Sequence, residues 1–264
     1  MNSDSAAVRQ DKIAPGQAGE GSPLLPAVWA QTRAELLLVG RRGENLLITV
    51  IVPVLLLVFF ASLGVVPTGT RPVDFLLPGM LCLAIIATGM VSLGIATAYE
   101  RYYGVLKRLG ASPLPRGGLI AAKAISVVAL EAAQVALLFA IAALIYGWRP
   151  DGNVGTALLA LLLGTAAFAG LGLAMAGALR AEATLASANG LYLLFLLLSG
   201  AVLPLDRLPG VLQDLARVLP AAALTGALRA ALSRDAAFPG SDLVVLAVWA
   251  ALALVVAART FRWE

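Results

Sequence analysis

Glu131 and Gln134 stand one helical turn apart on a shared face, inside an apolar run that extends from residue 119 to residue 146. An acidic side chain that deep in a membrane-crossing helix costs several kcal/mol unless it is paired, neutralised or hydrated, and for Asp the insertion scales give roughly 2.5–3.5. Two roles are compatible with such a pair. It can form part of a wall that attracts a cationic, amphipathic cargo, or it can be a protonated carboxyl hydrogen-bonded between helices with help from the amide. Asn189, an amide inside another apolar run, faces the same choice between substrate path and helix glue.

A second chemically rich stretch is YERYYGVLKRLGASPLP, residues 99–115, a polar island between two apolar runs. Wound as a helix, it puts Tyr99, Tyr102, Tyr103, Leu106 and Leu109 on one face and Glu100, Arg101, Lys107 and Arg108 on the other. Gly110 and the Ser112-Pro113 pair end it. The pattern predicts an amphipathic helix at a membrane surface, with tyrosines toward headgroups and charges toward water. A structured surface of mixed charge suits docking by a soluble partner, with Tyr99, Glu100, Arg101, Tyr103, Gly104, Lys107 and Arg108 as the contact residues. The plainer alternative is a basic loop that only orients the chain.

Other chemistries are excluded by composition. There is no histidine, which removes imidazole metal sites and His-based triads. The single cysteine, Cys82, lies in an apolar run and allows no intrachain disulfide. Neither G-x-x-x-x-G-K-[ST] nor G-x-S-x-G occurs. An intramembrane hydrolase therefore lacks its nucleophile–base set. No cofactor is expected in this chain, and any ATP it uses must be hydrolysed by another polypeptide.

Positioning these residues falls to a membrane-embedded scaffold. Of the 264 residues, 60% are hydrophobic and only 13% charged, against about a quarter charged in soluble domains. Residues 1–23 read as a disordered cytoplasmic tail. Residues 24–44 form an amphipathic pattern with Val28, Trp29, Thr32, Leu36 and Val39 at helical spacing, followed by Arg41 and Arg42. Spans are expected at about 45–62, 75–98, 119–146, 154–179, 184–203 and 242–258. Pro78-Gly79 opens the second, Lys123 snorkels at the start of the third, and Tyr146 and Trp148 mark its far interface. Ala166, Gly170, Ala174 and Ala178 give the fourth a small-residue face, read as packing within one protomer before a dimer seam. Arg180 and Glu182 mark a tight turn. The short helices around Pro209 and Pro220 read as re-entrant or interfacial, the second returning to the surface.

Six spans put both termini on one side. With that side cytoplasmic, thirteen of the nineteen Lys and Arg residues lie inside. This distribution makes the net charge of +4 a matter of topology rather than of nucleic-acid binding. Alanine richness and arginine over lysine point, as composition, to a GC-rich bacterial genome, and the location expected is a bacterial cytoplasmic (inner) membrane.

Three separated segments resemble the type-2 export permeases of ATP-binding-cassette (ABC) transporters, including drug-resistance exporters. They are DFLLPGML (74–81), ERYYGVLKRLGASPLPRGGLIAAK (100–123) and LSGAVLPLDRLPGVLQDLARVLPAAALTGALR (198–229). The resemblance covers residues 24–264. It implies an all-α integral membrane domain with six transmembrane helices, an N-terminal elbow helix, a cytoplasmic coupling helix and external re-entrant helices. It also implies a second permease copy, identical or different, and a nucleotide-binding ATPase subunit that carries the ATP and Mg. Tyr102-Tyr103 departs from the polar residues common in the family. The function expected is outward movement of an amphipathic, drug-like or lipid-like substrate through the lipid bilayer. The alternative is a stand-alone ion- or proton-coupled carrier using Glu131, although no internal repeat is visible.

Overall fold

The computed structural model of the protein describes residues 24–41, 43–63, 71–110, 116–234 and 236–260. The expected tail at 1–23, Arg42, the Ser112-Pro113 stop, Arg262 and Trp263 lie outside these residues. So do the side chains of Arg41 and Arg108.

All regular structure among the described residues is helical. Apolar runs rich in Leu, Ala and Val can satisfy their backbone groups in lipid only by internal hydrogen bonding, and a helix achieves this within one segment. The order is α1 (Leu24–Arg41), α2 (Gly43–Leu63), α3 (Pro72–Ile85), a π-helical stretch (Ile86–Ser92), α4 (Leu93–Tyr102), α5 (Val105–Gly110) and α6 (Arg116–Tyr146). Then come α7 (Val154–Ala178), α8 (Ala181–Leu198), α9 (Gly210–Arg217), α10 (Pro220–Leu232) and α11 (Gly240–Thr260). Proline occupies the first helical position of α3 and α10, where its missing donor is not needed. The Asn153 side chain accepts from the Thr156 backbone N–H at 3.0 Å and caps α7.

Five helices among the described residues are long and apolar enough to cross a membrane: Pro72–Tyr102 as one unit, α6, α7, α8 and α11. In addition, α2 carries an apolar stretch at Thr49–Leu63, and α9 and α10 form a pair bent by 77°. The Pro72–Tyr102 helix is the centre of the bundle, with nearly every side chain from Val73 to Ile86 buried. Around it pack α2, α6, α7, α8 and α10, while α11 lies along α7. Outward faces of α6, α8 and α11 carry exposed Leu144, Leu197, Val244 and Leu252, as lipid-facing helices do. The small-residue face of α7 is used inside the chain. A Cβ on Gly170 would lie 2.8 Å from the Ala253 Cβ of α11, so the two helices touch almost backbone to backbone there.

Several expectations need correction. Pro78 and Gly79 lie within α3 and do not form its opening turn. The fifth span stops at Leu198, short of residue 203, because Gly200 adopts a φ of +70°, which ends a right-handed helix. Trp148 packs inside the bundle rather than outward: it is buried and stacked on Phe139, with centroids 5.5 Å apart. Tyr146 turns inward and donates to the Val58 carbonyl at 3.2 Å. Helix α10 is not a surface-lying element of the bundle: it is buried along most of its length against α3, α7 and α11. Of this bent pair, α9 keeps an exposed apolar face, with Val211, Leu212 and Leu215 uncovered and Val218 exposed just beyond it.

Candidate functional site

The polar island is two elements with a break between them. Helix α4 ends at Tyr102, and the chain turns at Gly104, whose φ is +68°. A side chain at that φ is strained, so glycine is what the turn requires. Tyr103 and Gly104 donate their backbone N–H groups to the Tyr99 and Arg101 carbonyls at 2.9 and 3.0 Å, closing the helix end. The three tyrosines form one aromatic cluster: Tyr99 stacks on Tyr103, and Tyr102 meets both edge-on. Tyr102 and Tyr103 are 65% and 64% exposed; Lys107 is exposed on α5 while Leu106 is buried.

Glu100 and Arg101 do not project toward water as the simple helical projection predicts. Glu100 turns inward and accepts from Lys123 Nζ at 2.7 Å. Lys123, on α6, is 2% exposed and donates also to Glu35 Oε1 of α1 at 3.0 Å. It does not snorkel, because two carboxylates meet it within the protein. Gln31 supports the group by donating to the same Glu35 oxygen at 3.0 Å. Arg101 turns toward α7, where it donates to the Gly177 carbonyl at 2.6 Å and to the Leu179 carbonyl. Those carbonyls belong to a helix C-terminus, which lacks intrahelical donors and carries the negative end of the helix dipole. Consecutive residues of opposite charge thus tie the end of α4 to α1 and α6 on one side and to α7 on the other.

Midway along the bundle the π-helical stretch faces a polar seam. A π turn widens the helix and displaces its side chains, and such turns concentrate at functional sites. Thr88 Oγ1 donates to Gln134 Oε1 at 2.8 Å, and Gln134 Nε2 donates to the Thr49 carbonyl at 3.4 Å. Thr165 of α7 donates to Glu131 Oε2. Glu131 is 5% exposed, and its Oε1 is buried with no hydrogen-bond partner among the described residues. That oxygen lies against the π turn, where a Cβ on Gly89 would be 3.3 Å away. The structure therefore brings Glu131 and Gln134 onto one seam between α6, the π turn, α2 and α7. Asn189 is elsewhere: it is exposed on α8 and donates to its own Leu185 carbonyl at 2.8 Å.

The opposite end of the central helix is held differently. Arg229 of α10 lies 4.0 Å over the Phe75 ring. It donates to the Gly200 carbonyl at 2.9 Å and to the Phe75 carbonyl at 3.4 Å. Among the described residues no carboxylate pairs with it. Beside it, Gly79 meets the chain just past α8 so closely that a Cβ would be 2.5 Å from Ala201 Cα.

No motif or periodicity marks Glu35, Thr88, Thr165 or Arg229 in the sequence, and the position of Lys123 near the start of a span suggests snorkelling instead. One signal was available. Lys123 stands as a single cation inside the apolar run 119–146, and Thr32 and Glu35 are neighbours one turn apart on the first helix.

Long apolar helices gathered around a buried central one make this a multi-pass membrane protein. Residues 26–233 match the family model described as ABC-2 type transporter, and the chain belongs to that family. It is also similar to ABC transporter G family member 20 of Dictyostelium discoideum, with 30% identity over 188 residues. The match takes in 69% of this chain and 24% of that relative, so the chain corresponds to about a quarter of the other protein's length.

Proposed function

We infer that this chain is the permease subunit of an ATP-driven exporter that moves an amphipathic, drug-like or lipid-like substrate outward across a bacterial cytoplasmic membrane. In this reading α2, Pro72–Tyr102, α6, α7, α8 and α11 are six spans, α1 is an interfacial elbow, and α9–α10 is an external re-entrant pair. Both termini are cytoplasmic. ATP and its Mg are held by a separate nucleotide-binding subunit, and a second permease copy completes the path. The chain itself carries out no bond chemistry.

The observation that carries the reading is the form of the Tyr99–Gly110 end in a chain of this family. Tyr102, Tyr103 and Lys107 stand exposed beyond a helix end anchored on two sides. That is the shape of a surface that receives a push and passes it on. Closure of the ATPase pair presses on this surface, and the central helix carries the movement into the bundle. The seam at Glu131 and Gln134 then lines the path as α6 and α7 part, while Asn189 faces the space shared with the second copy.

The test is substrate-stimulated ATP hydrolysis and export by the complex purified from native membranes and reconstituted, with membrane insertion checked separately. Lys107→Glu should leave insertion intact, since exposed substitutions usually change stability by less than about 0.5 kcal/mol, yet repel a complementary partner surface. Gly104→Pro should uncouple more severely, because proline cannot adopt the positive φ of the turn and removes its donor. Normal coupling in both variants would reduce the stretch to a topogenic loop. Gradient-driven transport by the chain alone would replace the exporter with an ion-coupled carrier.

A further inference from the structure

We propose that Lys123 is a positioning residue that clasps α1 to the end of α4, so that the elbow helix and the Tyr99–Gly110 end move as one body. The clasp is built from three helices. Glu35 comes from α1, Glu100 from the last turn of α4, and Lys123 from the early part of α6, with Nζ–O distances of 3.0 and 2.7 Å. All three are withdrawn from solvent; Lys123 and Glu35 are buried residues, and the Glu100 side chain is only 11% exposed. A buried ion pair gives little net stability compared with apolar packing, so stability alone does not explain one placed here. It gives definite geometry, because an ammonium between two carboxylates has one low-energy position while the chain carrying either carboxylate stays in place.

The surroundings make the clasp a link rather than an ornament on one helix. Neither carboxylate is on the lysine's own helix, and the sequence separations are 88 and 23 residues. Gln31 adds a second hydrogen bond to Glu35 from within α1, orienting that carboxylate toward Lys123. On the next residue, Arg101 grips the end of α7, so the far side of α4 is fixed as well. Beyond Tyr103 the backbone turns at Gly104, so α5 begins a separate segment past this fixed base. A force on Tyr102 therefore reaches α1 through Glu100, Lys123 and Glu35 in series. This last use rests on the proposed exporter function; the joint movement of the two segments does not.

The experiment has two readouts. The full chain in lipid nanodiscs, in a Cys82→Ser background, is spin-labelled at Arg33→Cys and Tyr102→Cys, exposed positions on α1 and α4. The parent should give one narrow distance distribution, and Glu35→Gln or Glu100→Gln should each widen it at least twofold. Lys123→Arg, which keeps the charge, should stay close to the parent width, even if Lys123→Met fails to fold. The second readout is substrate exported per ATP hydrolysed by the reconstituted complex. That ratio should fall at least threefold in Glu35→Gln, and no further in the Glu35→Gln/Glu100→Gln double variant, since opening either link opens the series. Parent-like widths in both glutamine variants would overturn the clasp. A widened distribution in the glutamine variants, with no ATP-driven export by the reconstituted parent complex, would uphold the clasp and refute the exporter reading. Widening with an unchanged export ratio would overturn the clasp's part in coupling.

Discussion

At its Tyr102 end the central helix is held by charge, and at its Pro72 end by shape and carbonyl dipoles. The first end has Glu100 on a lysine shared with Glu35, and Arg101 on the carbonyls that finish α7. The second has a glycine pressed against Ala201 and an arginine laid over Phe75 with no carboxylate beside it among the described residues. The two modes respond differently to damage. A buried ion cluster holds firmly while complete, but losing one member strands the others in a medium that solvates charge poorly. Packed glycines and carbonyl contacts lose stability by degrees, because neighbours shift and water or other donors fill in. An end that must transmit a displacement without slack is served by the first mode. An end that must part and re-close is served by the second.

The largest effect should come from breaking the charged end at its shared member. Lys123→Met keeps most of the side chain's length and apolar contacts but removes the ammonium that Glu35 and Glu100 share. Removing one partner of a buried pair costs about 3–5 kcal/mol, and here one ammonium serves two carboxylates. The expected outcome is a sharp loss of inserted protein or a large fall in melting temperature of the detergent-purified chain. A melt within a degree or two of the parent would mean that water reaches the cluster and that the two ends do not differ in kind.

Smaller, but still clear, is the effect of crowding the other end. Gly79→Val places a branched side chain where even a Cβ would be 2.5 Å from Ala201 Cα and 2.6 Å from its carbonyl oxygen. Backbone atoms cannot swing away as a side-chain tip can, so the segment after α8 must move bodily. Overpacking of this kind costs about 1–3 kcal/mol. The same melting measurement should show a partial shift with the protein still inserted, distinct from the collapse expected for Lys123→Met.

How much of this was legible beforehand follows from what hydropathy encodes. It located α6 and α7 within a few residues, because a span is a property of one contiguous run. Likewise, the Arg180 turn and the short helices around Pro209 and Pro220 are local events with local signals. Which face of a helix meets a neighbour is not local. Glu100 and Arg101 sit at a helix end, where charge is solvent-facing by default, and only the positions of α1, α6 and α7 turn them inward. The partner of Lys123 lies 88 residues away on Glu35, a separation no periodicity argument crosses. The break at Gly104 and the early stop of α8 depend on positive φ angles, which a glycine permits without demanding. Nor does any compositional cue mark Ile86–Ser92 as a π turn, so the sequence carries no sign of Thr88 as the partner of Gln134.

The finest distinction between the ends rests on Arg229, and the charge-conserving change Arg229→Lys isolates it. If a counter-charge held this residue, an ammonium would replace the guanidinium with little loss. Its observed partners are the Gly200 and Phe75 carbonyls and the Phe75 ring, which the planar guanidinium can engage together. Lysine keeps a point charge but loses the stacking and cannot reproduce the fork. One hydrogen bond to a charged group and part of a cation–π contact should go, a loss of about 1–2 kcal/mol. Phe75→Leu removes the ring contact by the other route. Because both changes delete the same interaction, the double variant should melt close to the worse single one rather than at their sum. Strict additivity would show that Arg229 and Phe75 act separately. The Pro72 end would then be held by the Gly79–Ala201 approach and the Arg229 bond to the Gly200 carbonyl, with no part for the ring contact.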